Sequence, residues 1–284
     1  MFCPICFSTL ALAAAGTTSS AGLSALVINL KRRARVAATA PNTSQELNME
    51  TSTVVSRAEW LTARKALLAK EKEITRLRDE VSAQRRMLPM VRVEKPYTFE
   101  GPSGKATLLD LFDKHQQLVV YHFMFAPAWD EGCPHCSFVM DNVESGLVHL
   151  AAADTAFAAI SRAPLAKIEA FKSRMGWTFP WLSSGESDFN YDYHVTIDDA
   201  RNKEYNYESV TELRRRKEIP QAPSDMPGFS VFSRKGDDVF HTYSTYQRGV
   251  DTFLNTYNLL DMTPLGRNES RGMEWVRYHD RYET

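Results

Sequence analysis

The chain has 284 residues, a formal net charge of −1, and ordinary fractions of hydrophobic (43%) and charged (24%) residues. This composition fits one globular domain of roughly 200 residues with additional segments. The near-neutral charge gives no indication of a nucleic-acid partner. Four cysteines are too few in a chain of this length for a small secreted scaffold held together by disulfides.

The first 35 residues differ from the rest. Residues 7–30 carry no charged side chain, and a basic run over 31–35 follows them. A stretch of this length can span a bilayer, and the basic residues after it place the next domain in the cytoplasm. We therefore predict that residues 1–35 anchor a cytoplasmic domain to the membrane. A secretory signal is disfavoured because the charge follows the apolar run; the alternatives are a transit peptide, or an unstructured leader on a soluble cytoplasmic protein.

A linker over residues 36–55 precedes a long amphipathic helix, which we predict over residues 56–90 and which Pro89 ends. Apolar residues recur every seven positions, with Lys and Glu around them. Such a helix cannot bury its apolar face alone. We expect it either to pack along the globular domain or to form a homodimer through residues 57–88. The heptad positions are Trp60, Leu67, Ile74, Val81 and Leu88.

The remainder, residues 91–284, alternates short strands with helices. Residues 118–125 and 157–161 are continuous apolar runs typical of buried strands, and residues 164–175 predict an amphipathic helix. Two further strands flank a turn at residues 235–237 and predict a hairpin. Strands that alternate with helices in this way indicate an α/β sheet with helices on both faces.

Residues 182–226 interrupt this pattern before the last hairpin. They are polar and charged, with few regularly spaced apolar residues, which is typical of an inserted segment. We expect this insertion to cover the candidate functional site. A last helix is predicted over residues 249–260.

A pair of cysteines follows the 118–125 strand after a short polar loop. Cys133 precedes Pro134, and proline is favoured at the first helical position because its missing N–H costs nothing there. The spacing therefore predicts that Cys133 is a helix N-cap. Unpaired backbone N–H groups and the helix dipole stabilise a thiolate there and lower a cysteine pKa from about 8.5 to roughly 3.5–7.5. Cys136 lies one turn further on, placed to form a disulfide.

The residues beside the pair act in opposite directions. A protonated His135, between the cysteines, would stabilise a thiolate and favour the reduced form. Asp130 and Glu131 oppose this, because nearby negative charge raises the pKa of a thiol. We therefore predict a reactive pair and leave its reduction potential open.

Two other interpretations of the cysteines stay open at this point. Cys133 and Cys136 form half of a zinc site if Cys3 and Cys6 supply the other half, although these lie in a different segment. Alternatively, the two are buried and inert. The strand-loop-helix context favours redox chemistry, so we expect neither a metal nor a cofactor.

Several distinctive segments lie between residues 57 and 283. They are Glu59–Leu61, Tyr121–Phe125, Gly132–Phe138, Ser161–Leu165, Gly176–Trp181, Asp188–Asp192 and Phe240–Ser244. On these segments the chain resembles the bacterial family of predicted dithiol-disulfide oxidoreductases, also called domain of unknown function 899. The resemblance covers about four-fifths of the chain. It implies a thioredoxin-like fold but supplies no substrate.

The thioredoxin-like fold implies further site residues. Thioredoxins place a cis-proline before the third core strand, facing the active disulfide, and Pro227 is the candidate for that position. They also carry a buried acid on the strand before the cysteines, where this chain has no carboxylate. His122, His135 or a residue of the insertion would then move the Cys136 proton. The residues that we expect to support the pair are Trp129, Pro134, His122 and Arg162.

Part of the chain is also similar to peroxiredoxins. The order of strand, Ser161–Pro164, helix and then residues 176–180 matches theirs. Arg162 follows the carboxyl end of a strand, where it would hold a substrate carboxylate or stabilise the thiolate. Peroxiredoxins, however, place a threonine before their peroxidatic cysteine, and residues 127–133 contain none. This difference weakens the interpretation as a peroxidase.

Three hypotheses of function follow. In the first, the protein is a thiol–disulfide oxidoreductase in which Cys133 attacks and Cys136 resolves a mixed disulfide. Its partners would be a protein or small-molecule thiol or disulfide and an unidentified electron donor. In the second, Cys133 attacks a peroxide and Cys136 condenses with the sulfenic acid. In the third, the protein is a non-catalytic thioredoxin-fold module that binds a partner through its insertion and long helix.

Overall fold

The computed structural model describes residues 53–185, 187–198 and 200–283. Its strands are β1 (Val91–Arg92), β2 (Thr98–Gly101), β3 (Gly104–Thr107), β4 (Gln117–His122), β5 (Thr155–Ser161), β6 (Trp181–Ser183), β7 (Thr196–Ile197), β8 (Glu204–Tyr205), β9 (Glu208–Ser209), β10 (Ser224–Asp225), β11 (Gly228–Lys235) and β12 (Asp238–Tyr246). Its α-helices are α1 (Arg57–Arg86), α2 (Pro134–Val143), α3 (Leu147–Ala152), α4 (Leu165–Arg174), α5 (Phe189–Asp192), α6 (Val210–Arg215) and α7 (Asn255–Leu260).

The main sheet is mixed, with the strand order β1-β12-β11-β4-β5-β6-β2-β3. β4 runs parallel to β5, with Val120 opposite Ala158, and α2 lies between them in the chain. β11 runs antiparallel to β4 and forms a hairpin with β12. This strand-helix-strand unit, extended by an antiparallel hairpin beside its first strand, gives the thioredoxin-like fold that the resemblance implies. The predicted hairpin turn at residues 235–237 is confirmed.

Alternate residues of β4 contribute to the two faces of the sheet. We call the face that contains Tyr121 the cysteine face; it packs against α2 and α4 in an apolar cluster that includes Val139 and Phe171. We call the other face the histidine face, after His122. There, Val120 belongs to a cluster that contains Phe189 from α5. The prediction of helices on both faces is confirmed.

α1 begins at a capping box. The Ser56 hydroxyl accepts from the Glu59 N–H at 3.3 Å, and the Glu59 carboxylate accepts from the Ser56 N–H at 2.9 Å. The helix ends at Arg86, before Pro89, and none of its residues is buried. Packing along the globular domain is therefore wrong as a prediction, because other elements already cover both faces of the sheet. The homodimer stays a prediction.

The segment 182–226 is more ordered than its composition suggests. It contains the end of β6, the short strands β7 to β10, and α5 and α6. Its buried residues Val195, Ile197 and Leu213 form a separate small core with Tyr246 of β12. These apolar residues have no regular spacing in the sequence because strands of two residues are too short to show a hydrophobic period.

The predicted last helix is divided into two pieces. Residues 247–253 form a 3₁₀-helix, and α7 follows it. Leu254, between them, has φ −91° and ψ 83°, which is outside the helical region. A single helix over residues 249–260 is therefore wrong.

The predicted membrane anchor over residues 7–30, and with it Cys3 and Cys6, lies outside the described residues. In the part of the chain that the structure describes, no helix is both long and apolar enough to cross a membrane.

Candidate active site

The backbone of Met124, just beyond β4, holds both cysteines. Its carbonyl accepts a hydrogen bond from the Cys133 N–H at 3.0 Å. Its own N–H donates to the Cys136 sulfur at 3.4 Å. A single residue therefore fixes the first turn of α2 against the end of the central strand.

The loop before the cysteines is held by close packing. The Trp129 carbonyl accepts from the Lys167 ammonium at 2.8 Å, and the Trp129 side chain packs partly buried on the cysteine face. A Cβ at Gly132 would lie 2.7 Å from a ring carbon of Phe123 and 2.9 Å from one of Phe171. Glycine thus lets the backbone pass two aromatic rings immediately before the first cysteine.

Cys133 is the N-cap of α2, as its spacing predicts. Its backbone is extended, with φ −61° and ψ 129°. Its carbonyl accepts from the Ser137 N–H and the Ser137 hydroxyl, each at 3.0 Å. Pro134 occupies the first turn. The Cys133 side chain makes no capping hydrogen bond to the helix N–H groups, so the bonds that we predict for a thiolate are not formed by the thiol in this structure.

Burial distinguishes the two thiols. Cys136 is fully buried, whereas Cys133 is 4% exposed. Burial raises the pKa of the Cys136 thiol well above its ordinary value, and its hydrogen bond with Cys133 and the charge there raise it further. Cys136 therefore keeps its proton, which suits the resolving cysteine of a pair better than the attacking one.

Tyr121 is the β4 residue that faces the cysteines. Its hydroxyl lowers the pKa of the Cys136 thiol, against the larger effect of burial. The Tyr121 ring packs on Phe229 and Phe123, with centroid distances of 4.7 and 6.0 Å. A phenol hydroxyl therefore stands beside the thiol that must lose a proton.

His122 lies on the other face of the sheet. Its Nε2 is 2.7 Å from the Ser230 hydroxyl, and its ring packs against those of Phe189 and Tyr193. Burial, with a smaller contribution from His241, lowers the pKa of His122 to about 3. The supporting role predicted for His122 is wrong, because adjacent strand residues point to opposite faces and Tyr121 takes the one with the thiols.

The C-terminal segment, residues 273–281, covers the cysteine pair. The Tyr278 hydroxyl donates to the Gly132 carbonyl at 2.6 Å. The Met273 carbonyl accepts from Nε2 of His135 at 3.0 Å. Both contacts are made to residues adjacent to the cysteines, so this segment lies over the start of α2.

Apolar packing gives the same arrangement. Met273, Val276 and Tyr278 are buried in the cluster that contains both cysteines. The described part of residues 184–226 contributes its buried apolar side chains to other clusters. The prediction that the insertion covers the site is therefore wrong, because its apolar residues are used in its own core and on the histidine face.

Ion pairs fasten the C-terminal segment to the cysteine loop and to α4. Arg174 pairs with Glu131 and with Asp280, and Arg281 also pairs with Glu131. Burial alone would raise the pKa of Glu131, but these arginines outweigh it and lower it. Glu131 was expected to oppose a thiolate, but its negative charge is largely paired with these arginines. The other acidic residue, Asp130, is fully exposed to solvent. Partly exposed pairs of this kind contribute only about 0.2–1 kcal/mol each.

His135 is 7% exposed, beneath the C-terminal segment. Because a carbonyl only accepts, its Nε2 is the protonated nitrogen of the neutral ring. Its Nδ1 is buried and has no hydrogen-bond partner among the described residues. The His135 ring is thus held by the backbone of the C-terminal segment.

A family model described as bacterial protein of unknown function (DUF899) matches residues 49–282. The chain belongs to the DUF899 family. No curated protein matches the chain.

Solved structures similar to this DUF899 protein share little sequence with it. Peroxidoxin BcpB from Mycobacterium tuberculosis is 13% identical, with 61% of this chain and 97% of that chain covered and a TM-score of 0.42. Peroxiredoxin Q from Xanthomonas campestris is 14% identical, with 60% and 95% covered and a TM-score of 0.42. A provisionally assigned protein disulfide isomerase from Bacteroides thetaiotaomicron is 18% identical, with 60% and 91% covered and a TM-score of 0.35.

Pro227 precedes β11, as the thioredoxin comparison implies, but its peptide bond is trans. The described residues contain no cis peptide bond, so the cis prediction is wrong. The Met226 N–H bonds to the Val195 carbonyl at 2.7 Å, and the Pro227 carbonyl accepts from the Tyr205 hydroxyl at 2.9 Å. The chain thus enters β11 already paired with the insertion, in the generally favoured trans form.

Arg162 lies just beyond β5 and contacts the insertion. Its guanidinium is 3.4 Å from both the Asp225 carboxylate and the Tyr191 hydroxyl. Burial raises the pKa of Asp225, while Arg162 and the Thr196 hydroxyl act against this effect. The contacts of Arg162 therefore give it a buried carboxyl partner within the DUF899 chain, in place of the substrate or thiolate that we expected.

Sequence reasoning missed the residues that fasten the site. Met124 acts through its backbone N–H and carbonyl, and the identity of its side chain does not indicate these hydrogen bonds. Arg174 and Arg281 lie 43 and 150 positions from Glu131. Basic residues in the C-terminal segment and an acidic residue before Cys133 are the only signals, and they do not reveal the pairing without the fold.

Proposed function

We propose that this DUF899 protein is a thiol–disulfide oxidoreductase that uses Cys133 and Cys136. The observation that carries the proposal is the double hydrogen bond of Met124, which sets both cysteines at the start of α2, directly after the central strand. Both thiols are buried, Cys136 fully and Cys133 with 4% of the residue exposed, and burial raises the pKa of Cys136 so that it holds its proton. This asymmetry is what a two-step exchange requires.

In the reducing direction, the Cys133 thiolate attacks one sulfur of a substrate disulfide. A bond from Cys133 to that sulfur forms as the substrate S–S bond breaks, and the first substrate thiolate leaves and takes a proton. Cys136 then loses its proton and attacks the Cys133 sulfur. The Cys133–Cys136 disulfide forms, and the second substrate thiol is released. The substrate gains the two electrons that the pair loses, and a thiol donor returns the pair to its reduced form.

The second step depends on the groups around Cys136. Burial holds its proton, whereas the Tyr121 hydroxyl and the Met124 N–H lower the pKa of the thiol. These two donors favour the thiolate as it forms. Tyr121 therefore acts at the position for which thioredoxins use a buried acid.

Access to Cys133 requires movement of the C-terminal segment. A substrate sulfur must touch the Cys133 sulfur along the line of the bond that breaks, and only 4% of the residue is exposed. The Tyr278 hydroxyl bond and the arginine pairs are the contacts that would open. Substrates that displace the segment would then reach Cys133, and substrates that do not displace it would be excluded.

The test is a redox titration of the full-length protein carrying Cys3→Ala and Cys6→Ala, equilibrated in thiol–disulfide buffers. Mass-tagged alkylation counts free thiols at each potential. We expect a reversible two-electron transition that is absent in Cys133→Ser and in Cys136→Ser. With a disulfide substrate, Cys136→Ser should accumulate a mixed disulfide at Cys133, and Cys133→Ser should form none. Thiols that react only after unfolding would contradict the proposal.

The same proteins separate the other hypotheses. Stoichiometric peroxide consumption by the reduced protein, lost in Cys133→Ser, would identify a thiol peroxidase. Zinc-dependent protection of Cys133 and Cys136 in the protein that retains Cys3 and Cys6, lost in the Cys3→Ala/Cys6→Ala protein, would identify a metal site made of the four cysteines. Normal stability and partner binding without any redox transition would identify a binding module.

A further inference from the structure

α1 presents an apolar surface that the rest of the described chain leaves uncovered. The helix has 30 residues and no buried side chain, so it extends for about 45 Å. Ile74 and Leu77, in its middle, are 52% and 59% exposed. Fully burying a large aliphatic side chain is worth about 1.5–3 kcal/mol, so this surface strongly favours a partner. Arg85 stacks on Tyr243 near the end of the helix, where it reaches the sheet.

The heptad pattern limits what that partner is. With Trp60 at position a, the later a positions are Leu67, Ile74 and Val81, and the d positions are Ala63, Lys70, Leu77 and Gln84. β-branched residues at a combined with leucine at d favour two parallel strands over three or four. A lysine at d is tolerable in a two-stranded seam, because its stem lies along the apolar surface and its ammonium reaches water at the edge.

The charges beside the seam fix the direction of pairing. Glu73 and Glu80 occupy g positions, and Arg78 and Arg85 occupy the e positions of the next heptads. In a parallel pair, each g residue meets the e residue of the following heptad on the other helix, so both contacts join opposite charges. In an antiparallel pair, g meets g and e meets e. Glu73 would then face Glu73 of the second copy.

We propose that α1 pairs in parallel and in register with α1 of a second copy of this chain, as a two-stranded coiled coil. The two copies of the thioredoxin-like domain, each beginning beyond its Pro89, then lie at the same end of the coiled coil. This pairing is independent of the redox proposal, because α1 makes none of the contacts to Cys133 or Cys136 described above.

The charge pattern gives the test. In a dimer of the Glu73→Arg variant, position 73 of each chain brings a positive charge to Arg78 of the other chain, so both contacts become repulsive. In a dimer of the Arg78→Glu variant, position 78 of each chain brings a negative charge to Glu73 of the other chain, with the same result. Each variant alone should raise the dimer dissociation constant by about tenfold, whereas an equimolar mixture should pair as well as the native protein. Lys72→Glu, at the exposed f position, is the matched control and should change nothing. Light scattering with size-exclusion chromatography of the full-length protein over a concentration series measures each constant.

The expected native mass is that of two 32.2 kDa chains, and Ile74→Glu in the seam should reduce it to one chain with the helical circular dichroism of the domain retained. A monomeric native protein would overturn the proposal and leave the apolar face to residues 1–52 or to another protein. A dimer that Glu73→Arg does not weaken would overturn the parallel arrangement. The redox titration of these variants reports separately on the cysteine pair.

Discussion

Tyr121 and His122 are neighbours on β4 and both are buried, yet they stand in different chemical surroundings. On the cysteine face, the Met124 N–H donates to the Cys136 sulfur, and the Tyr121 hydroxyl lowers the pKa of that thiol. On the histidine face, His122, Ser230, Ser244 and His241 form one chain of contacts of 2.7–2.8 Å. The groups around Cys136 thus favour a charged sulfur, whereas the polar groups of the histidine face hydrogen-bond to one another.

The comparison shows that burial alone does not indicate reactivity. On the cysteine face burial also opposes ionisation of Cys136, but the Met124 N–H and the Tyr121 hydroxyl act against it and lower the pKa of that thiol. On the histidine face, burial makes ionisation costly, and the pKa values of both His122 and His241 are lowered. The proposed redox chemistry therefore belongs to the first face, and we expect acid sensitivity of the fold to arise from the second.

The largest expected effect concerns pH and the histidine face. Native His122 stays neutral down to about pH 3, whereas an unfolded histidine takes a proton near pH 6.5. The unfolded chain then binds more protons, so stability falls as pH is lowered from 6.5 toward 3, by up to about 1.4 kcal/mol per unit. Between pH 6.5 and 4.5 this contribution is about 2–3 kcal/mol.

His122→Gln removes this titration and keeps a partner for Ser230. Urea unfolding of the native protein and the variant at several pH values between 7 and 4.5 measures the difference in slope. The variant should lose less stability over this range and keep the redox transition of the cysteine pair. Parallel pH profiles would mean that His122 is charged in the native state or is not buried.

A second effect tests the packing of the cysteine face. Gly132→Ala pushes a methyl group into the rings of Phe123 and Phe171, and overpacking of this kind costs about 1–3 kcal/mol. Gly146→Ala is the matched control, because a Cβ there meets nothing within 4 Å. Thermal unfolding should show a lower Tm for the first variant and little change for the second. Equal Tm values would show that the loop before Cys133 accommodates the added methyl group without loss of stability.

Tyr121→Phe tests the chemistry of the cysteine face. Loss of the hydroxyl removes a group that lowers the pKa of Cys136, so the resolving thiolate forms less readily. One such hydrogen bond is worth about 1–1.5 kcal/mol, so resolution of the mixed disulfide should slow by about tenfold and its pH profile should move upward. Tyr193→Phe, on the histidine face, is the matched control. Quenched alkylation of the mixed disulfide measures its decay, and identical rates for the two variants would exclude a role for Tyr121.

The local features of this site could be predicted from sequence, and the long-range ones could not. A cysteine followed by proline after a buried strand predicts the N-cap correctly, because capping depends on neighbouring residues alone. His122 was expected beside the thiols, where Tyr121 lies, because a strand buried on both faces has no polar side to orient it.

Long-range contacts were the source of the errors. The C-terminal segment has no hydrophobic period, and Tyr278 meets Gly132 across 146 positions of the chain. The cover over the cysteines was therefore assigned to the insertion, whose apolar residues lie in strands too short to recognise. The hydrogen bond between Met226 and Val195, immediately before Pro227, likewise joins residues whose pairing sequence spacing does not reveal.

The smallest effect concerns the C-terminal segment, which belongs to the cysteine face but is held by weak contacts. Tyr278→Phe removes the hydroxyl bond to the Gly132 carbonyl. Loss of about 1 kcal/mol from the closed form should raise the population of open molecules, and with it the alkylation rate of Cys133, by about fivefold. Tyr282→Phe is the control, because its hydroxyl accepts from the Arg277 N–H near the end of the chain. If both variants alkylate at the native rate, Cys133 is reached by a route other than the one that this segment closes. A faster rate in Tyr278→Phe alone would show that the weak contacts of the C-terminal segment control access to the Cys133 sulfur.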